Sequence, residues 1–236
     1  MYNKIKNIAN QNGMLIALEG ADGVGKTSLA KMIVEDLQKN DIDAEYIRNP
    51  GSDEVTEKIR NITKQYKMGW FSAACLFGAA LKYSLDYNIV PKLDKHKVII
   101  IDRFVRSTYI YQMFNKQFSN EGSMEFFKRI SFFKDLTDQL LKGLWDIRPC
   151  FEFVLLCDPH IAWNRIHDRE TSEAIDIWES QGRDYFNAIH ESYKESSKKG
   201  LPYLGINEPH VLTTTNMEPE VELGDFYYEL EKILKR

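Results

Sequence analysis

The amino-acid sequence predicts an α/β fold in three layers, with a parallel, doubly wound sheet between layers of helices. The runs 98–101 and 151–157 are short and mostly apolar, as strands buried on both faces of a parallel sheet are. Further strands are predicted at 14–18, 44–47 and, more weakly, 211–213, and segments of helical period alternate with them. This alternation is typical of helices that cover both faces of one sheet.

The helical segments and the length of the chain indicate one domain, 1–236, with one core. Helices are predicted at 28–39, 53–64, 70–90, 160–169, 179–199 and 219–235, the third ending before Pro91. Residues 1–12 are expected to be a polar lead-in. The phenylalanine-rich stretch 113–148 is expected to be an extended helical insertion, which either packs on the core or forms a dimer surface or a lid.

The composition narrows the class of function. A net charge of −4 argues against a general binder of nucleic-acid polymers, which is usually basic. The apolar run 14–18 has a strand's length, too short for a membrane span, so no membrane partner is expected. The three cysteines lack metal-ligand spacing and no secretory segment precedes them, which indicates a reducing, cytoplasmic setting.

A glycine-rich loop follows the first predicted strand and precedes a helix. Residues 20–27 fit the pattern G-x-x-x-x-G-K-[ST], whose backbone N–H groups cradle a polyphosphate at the helix N-terminus. Lys26 can reach the β- and γ-phosphates, and the Thr27 hydroxyl can ligate Mg²⁺. The predicted ATP-binding residues are Gly20, Ala21, Asp22, Gly23, Val24, Gly25, Lys26, Thr27 and Ser28. The loop predicts a nucleoside triphosphate site on a P-loop NTPase fold.

Charged residues follow two other predicted strands. The carboxyl ends of parallel strands line the ligand crevice of an open α/β sheet. There Asp102 can hold Mg²⁺ through water, and Arg103 can clamp a phosphate with its fork of donors. Arg48 follows the strand at 44–47 and can reach the same crevice. The alternatives are a surface ion pair between Asp102 and Arg103 and a solvated Arg48.

These segments carry a resemblance to the thymidylate kinases. Residues 20–27, 48–51 (RNPG) and 102–112 (DRFVRSTYIYQ) resemble that family's E-G-x-D-G-x-G-K-[ST], R-E-P-G and D-R-Y-x-x-S-S-x-A-Y-Q. Residues 155–159 resemble the end of a later strand of the family, and 176–179 the close of its lid. The similarity runs from about residue 14 to 215.

The resemblance implies MgATP-dependent transfer of the γ-phosphoryl group to the 5′-phosphate of a deoxynucleoside monophosphate, expected to be thymidylate (dTMP), by a homodimer. Asp22 matches the ligand of the sugar 3′-hydroxyl, and Tyr111 the residue near the 2′ position. The remaining implied acceptor ligands are Arg48 and Arg103 at the phosphate, Phe77 stacked on the base, and Ser107 and Gln112 beside it.

The resemblance also implies a short lid, at about 165–178. One class of the family carries a catalytic arginine in the glycine loop, where this chain has Gly23 and Val24. The chain is similar to the other class, which supplies arginines from the lid. Arg165 and Arg169 are therefore the lid candidates, and Lys26 and Arg103 complete the implied catalytic set.

Four positions depart from the family pattern. Leu81 stands where the family has an arginine that bonds the base, and Ile177 replaces the arginine of the lid-closing motif. Asn49 replaces a glutamate and Ile110 an alanine. Two alternatives stay open on this ground: a kinase for another deoxynucleoside monophosphate, and a nucleotide-binding protein without transfer activity.

Overall fold

Five parallel strands form one sheet in the order β2-β3-β1-β4-β5. The computed structural model describes residues 1–95, 97–113, 123–142, 150–168, 182–201, 208–214 and 219–235. The strands are β1 (Met14–Glu19), β2 (Ala44–Arg48), β3 (Val98–Asp102), β4 (Cys150–Leu156) and β5 (His210–Thr213). Every residue of β1 and β3 is buried, as their apolar runs require. The predicted α/β fold with a parallel sheet is confirmed.

Helices flank this sheet in two groups. Within the described part of the chain they are α1 (Tyr2–Asn12), α2 (Lys26–Lys39), α3 (Glu54–Gln65), α4 (Trp70–Tyr83), α5 (Val90–Leu93), α6 (Val105–Met113), α7 (Ser123–Leu141), α8 (Pro159–His167), α9 (Arg183–Lys199) and α10 (Pro219–Leu234). Helices α1, α2 and α10 pack together, and α4 and α9 pack on α6. No helix among these residues is both long and apolar enough to cross a membrane.

The segment expected to be a polar lead-in forms helix α1. Ile5 and Ala9 lie one turn apart on its inner face, and both are buried in the core. The Tyr2 hydroxyl donates a hydrogen bond to Asp36 of α2 at 2.7 Å. Most residues of such a helix lie outside its single apolar stripe and are polar. The average composition of the segment therefore did not indicate that it packs on the core.

The long helix predicted at 70–90 does not end before Pro91. Helix α4 passes into a π-helical turn at Ser84–Ile89 and then into α5. Pro91 lies in the first turn of α5, where its missing N–H costs no helical hydrogen bond. The wider π turn therefore carries the chain past a residue that usually stops a helix.

The expected insertion and lid fall only partly on described residues. Helix α7 covers the middle of 113–148, and its Phe133 is buried against Tyr109 of α6. Its Leu136 touches the backbone of α4 so closely that a Cβ added at Gly78 would lie 3.0 Å from it. These contacts fit the core-packing interpretation of this helix. Of the lid, residues 169–178 lie outside the described part.

Sheet register brings the functional segments to one edge. Asp102 at the end of β3 is paired with Leu18 of β1 on one side and with Arg48 of β2 on the other. The glycine loop starts directly after β1, which lies between β3 and β4. The carboxyl ends of three neighbouring strands therefore meet at the N-terminus of α2, where a ligand crevice is expected in this class of fold.

Candidate active site

The glycine loop has a conformation that other residues would strain. Gly20, Gly23 and Gly25 all have positive φ angles, of 144°, 80° and 96°. A Cβ added at Gly23 would lie 2.2 Å from the carbonyl oxygen of Ala162 in α8. The loop is thus packed against the helix that precedes the lid, and the backbone at this point has no room for a side chain.

Replacing Gly23 by alanine should destabilise the protein by about 2–4 kcal/mol, because the left-handed conformation and the overlap with Ala162 add up. ATP affinity should fall with it, since the loop must shift to relieve the overlap. Gly224→Ala in α10 is the matched control. Among the described residues, no atom other than those of its chain neighbours and its own helix backbone lies within 4 Å of a Cβ there, so that variant should be unchanged or more stable by up to about 1 kcal/mol. Urea unfolding and ATP titration measure both; equal stability of the two variants would contradict this reading.

Lys26 begins α2 and lies inside the cradle. Its side chain is only 6% exposed, and its Nζ donates to the carbonyl oxygen of Ala21 at 2.6 Å. Burial and the neighbouring positive charge of Arg103 lower the pKa of Lys26 to about 8. The charges of Asp102, Asp22 and Glu19 act in the opposite direction but do not offset the cost of burial. A buried ammonium group at the positive end of a helix is arranged to receive a further anion.

Thr27 and Asp102 meet beside Lys26. The Thr27 hydroxyl donates to Asp102 Oδ2 at 2.6 Å, and the Tyr46 hydroxyl donates to the same oxygen at 3.3 Å. Burial and the charge of Asp102 raise the pKa of Tyr46 to about 12, so this phenol stays protonated. A hydroxyl and a carboxylate at a phosphate cradle are the oxygen ligands that Mg²⁺ uses together with substrate phosphates. The residues present therefore fit the predicted metal.

Arg103 is held in a fixed geometry directly after β3. Its φ of 71° is a left-handed conformation, which costs a non-glycine residue about 1–2 kcal/mol and is often found at functional sites. Its guanidinium is paired with Asp22, lies 4.9 Å from the centroid of the Tyr111 ring and donates to Ser107 Oγ at 3.2 Å. The left-handed conformation directs the Arg103 side chain towards the glycine loop, and the contacts of its guanidinium offset the conformational cost.

Asp22 lies between Arg103 and Tyr111. The Tyr111 hydroxyl donates to its Oδ2 at 2.6 Å. Burial would raise the pKa of Asp22, but the charges of Arg103 and Lys26 outweigh it and hold that pKa far below its usual range. The carboxylate side chain is still 43% exposed, so it is an ionised acceptor with room for a further donor.

A small pocket opens beyond Asp22 and Tyr111. Its other walls come from α8 and α9, including Trp163, Phe186 and Ile189. The polar edge of the pocket therefore belongs to the glycine loop and α6, and its apolar walls to the two helices that flank the lid.

Three residues expected near the base lie on α4 and α6. Gln112 is fully buried, and neither polar atom of its side chain has a hydrogen-bond partner among the described residues. Phe77 is half-buried on α4, and Leu81, one turn later, is fully buried in the hydrophobic core. Leu81 therefore contributes packing, and Gln112 keeps its hydrogen-bonding capacity unused.

The expected arginines have different positions. Arg48 ends β2 with its side chain exposed. Arg165 of α8 donates to the carbonyl oxygen of Gly23 at 3.4 Å, so it lies beside the glycine loop, and its role as a lid arginine stays a prediction. Arg169 lies outside the described residues. Ser107 was expected beside the base, and its hydroxyl hydrogen-bonds to Arg103 and Glu19.

Sequence reasoning missed two buried groups at this site. Glu19 is a fully buried carboxylate at the end of β1; its signal was a charge that closes an apolar run. His190 of α9 is 5% exposed and packs on Phe186, with ring centroids 4.4 Å apart. Its Nε2 has no hydrogen-bond partner in the described part of the structure. A single histidine in a helix gave no signal of burial.

His190 should make the protein sensitive to acid. Burial lowers its pKa to about 4, and the charge of Lys26 acts in the same direction. Below pH 6.5 the imidazole of His190 is protonated in the unfolded chain, whereas in the folded protein it stays neutral down to about pH 4. The free energy of unfolding therefore falls as the pH is lowered through that range. Between pH 7 and pH 5 the loss from this group should be about 2 kcal/mol.

The comparison with His190→Gln isolates this contribution. The glutamine variant does not titrate, so its free energy of unfolding in urea should fall less between pH 7 and pH 5 than that of the wild type. Identical pH dependence of the two proteins would mean that His190 has the same pKa in the folded state as in the unfolded state, which contradicts the prediction.

Comparison with known proteins agrees with this geometry. The family model described as thymidylate kinase matches residues 18–209. Thymidylate kinases of Acholeplasma laidlawii and Mycoplasmoides gallisepticum are each 32% identical to the chain, over 77% and 80% of it and over 87% and 83% of their own lengths. The thymidylate kinase of Finegoldia magna is 26% identical over 80% of the chain and 87% of its own length. With a family match over most of its length and the P-loop, Asp102 and Arg103 at one sheet edge, this chain belongs to the thymidylate kinase family.

Proposed function

We propose that the protein transfers the γ-phosphoryl group of MgATP to the 5′-phosphate of thymidylate, giving dTDP and ADP. The observation that carries the proposal is the pair of cations at the glycine loop. Lys26 and Arg103 are close enough for Arg103 to lower the pKa of Lys26, and both are held by the same short loop. Two cations that repel each other gain from polyanions placed between them, so the site suits one phosphate group from each substrate.

The donor side is formed by the loop and α2. Loop N–H groups and the first turn of α2 bind the phosphates of ATP, and Lys26 neutralises charge on the γ-phosphoryl group as it leaves. Arg165, beside Gly23, is the described lid arginine in position to contact the same group. Mg²⁺ would be held by Thr27 and Asp102, and when bound it supplies charge neutralisation at the β- and γ-phosphates.

The acceptor side is formed by β3 and α6. Arg103 binds the 5′-phosphate and Asp22 accepts a hydrogen bond from the sugar, while Tyr111 fixes the Asp22 carboxylate. Gln112 offers unused amide groups to the base, and Phe77 a ring for stacking. No side chain acts as a nucleophile; phosphoryl transfer depends on alignment and neutralised charge, which these fixed groups provide.

The alternatives are less well supported. Leu81 packs in the hydrophobic core, so its presence does not itself reshape the base site, and the relatives compared above are thymidylate kinases. A protein that only binds a nucleotide does not need an arginine fixed at the acceptor phosphate, so the strained left-handed conformation of Arg103 argues against this alternative. A kinase for thymidylate is therefore preferred over one for another acceptor.

The decisive experiment measures ADP release from MgATP with a panel of acceptors. The panel contains thymidylate, deoxyuridylate, deoxycytidylate, deoxyguanylate, uridylate and free thymidine. Thymidylate should have a kcat/KM at least about tenfold above every other acceptor, since the loss of one matched polar contact to the base costs that much or more. Preference for another monophosphate would establish the first alternative. ATP binding without any acceptor-dependent turnover would establish the second.

We also propose that the enzyme is a homodimer, as the family resemblance implies. Helices α3, α4 and α7 expose apolar side chains, with Ile62 43%, Phe71 53% and Phe127 64% exposed. Apolar side chains of this size are common at the buried centre of subunit interfaces. Sedimentation equilibrium should give twice the mass of the chain. The expected cytoplasmic location stays a prediction.

A further inference from the structure

Glu19 is a buried carboxylate for which the proposed chemistry has no direct use. It closes β1 immediately before the glycine loop and is fully shielded from solvent. Burial raises its pKa, and the nearby Glu152 acts in the same direction. An uncompensated carboxylate in this position is costly, so the contacts it makes must offset that cost.

The first set of contacts joins Glu19 to the backbone of α6. Glu19 Oε1 accepts hydrogen bonds from the N–H groups of Phe104 and Ser107, both at 2.9 Å. Phe104 occupies the N-cap position of α6, where serine, threonine, asparagine or aspartate usually accepts the N–H of the third helical residue. The side chain of phenylalanine has no oxygen or nitrogen to accept that N–H. Glu19 therefore caps α6 from strand β1.

The second set joins Glu19 to Arg103 through one hydroxyl. Ser107 Oγ lies 2.7 Å from the Tyr193 hydroxyl, accepts a hydrogen bond from Arg103 Nη1 at 3.2 Å and donates to Glu19 Oε2. Since a serine hydroxyl has one hydrogen, its donation to Glu19 leaves its lone pairs facing Arg103 and Tyr193. The Arg103 guanidinium is thus connected to Glu19 by two successive hydrogen bonds.

We propose that Glu19 is a positioning residue for Arg103. It fixes the start of α6 by capping it from β1, and through Ser107 it fixes the guanidinium at the acceptor phosphate. The inference rests on the proposed function, in which Arg103 binds that phosphate. The left-handed Arg103 lies between β3 and the capped end of α6, so any movement of that end moves the guanidinium.

A neighbouring ion pair offers the matched control. Arg106, the residue immediately before Ser107 in α6, is fully buried and binds Glu152 of β4 with its Nε and Nη2, at 2.9 and 2.6 Å. Its Nη1 donates to the carbonyl oxygen of Ser196 in α9 at 3.1 Å. This pair also anchors α6 to the sheet, and its carboxylate is neither at the helix cap nor bonded to Ser107 in the described contacts.

The test compares Glu19→Gln with Glu152→Gln in the full chain, by steady-state kinetics and thermal unfolding. Glu19→Gln should raise the KM for thymidylate about tenfold or more, the effect of losing one charge-assisted contact, and leave the KM for ATP within about twofold. Glu152→Gln should lower the Tm at least as much as Glu19→Gln does, and it should leave both KM values within about twofold of the wild type. A merely structural Glu19 would lower the Tm and change both KM values equally, or neither, and that result overturns the proposal.

Two further measurements keep the result clear. If Glu19→Gln fails to fold, Ser107→Ala is used instead. This variant keeps both hydrogen bonds from the α6 backbone to Glu19 and removes the hydroxyl that connects Glu19 to Arg103. The KM for thymidylate should again rise selectively, and an unchanged value overturns the proposal. The wild type is assayed alongside. Absence of thymidylate turnover in the wild type refutes the proposed function and the positioning role with it, whereas normal wild-type turnover with an unchanged thymidylate KM in the variants refutes the positioning role alone.

Discussion

Lys26→Ala should lower kcat by about 10²–10³-fold, the usual consequence of removing one preorganised donor from the charge that develops in a transition state. The fold should survive. The Lys26 ammonium donates its hydrogen bond to a carbonyl oxygen of the glycine loop, at Ala21, and its removal also relieves repulsion from Arg103. ADP release under saturating thymidylate and MgATP measures the effect, and circular dichroism with thermal unfolding measures the fold.

Lys31→Ala is the matched control for this prediction. Lys31 lies on the same helix, α2, and its side chain is exposed, so kcat should stay within about twofold of the wild type. A similar kcat in both variants would show that Lys26 does not contact the transferred group, and it would remove the P-loop from the mechanism.

Arg103→Ala should raise the KM for thymidylate by about 10²-fold or more and the KM for ATP much less. Removing one partner of a desolvated, hydrogen-bonded charge pair commonly costs about 2–5 kcal/mol in binding. Here the loss falls on the acceptor, because the guanidinium faces Asp22 and Tyr111 rather than α2. Initial rates with each substrate varied in turn separate the two effects.

Arg103→Lys provides the control for charge. A lysine keeps the positive charge but loses the planar fork that bonds Asp22, Ser107 and Tyr111 together, so its thymidylate KM should lie between those of the wild type and the alanine variant. Equal increases of both KM values in the alanine variant would place Arg103 at the ATP phosphates and exclude it as the acceptor clamp.

The elements with strong local signals were predictable. The strands at 98–101 and 14–18 were read from unbroken apolar runs, and both are buried over their whole length. The order of residues in the glycine loop predicted a tight turn between β1 and α2, and Gly20, Gly23 and Gly25 have the positive φ angles that such a turn uses. Its contacts with phosphate stay a prediction. Predictions that rested on composition alone, such as the polar lead-in, missed helix α1 because its two buried residues are a minority.

Residues joined across the fold were not predictable from spacing. Glu19 and Ser107 are 88 positions apart, and their contact exists because β1 and β3 are neighbours in the sheet. The expectation for Ser107 came from likeness to a base-contacting position, and only the structure places its hydroxyl against Glu19 and Arg103. The continuation of the helix through Pro91 likewise depends on a π turn that no residue pattern announced.

By itself the sequence determined the class of the protein: the alternation of strands and helices, the phosphate loop from Gly20 to Thr27, and the family to which the chain belongs. Those features follow from short-range chemistry, namely side-chain period and the freedom of glycine. Only the tertiary structure decided how Arg103 is aimed, how Asp22 stays ionised, and how Glu19 is satisfied without solvent. Each of these depends on charges and donors brought together from distant strands, and the free energy of a buried charge is set by its neighbours in space.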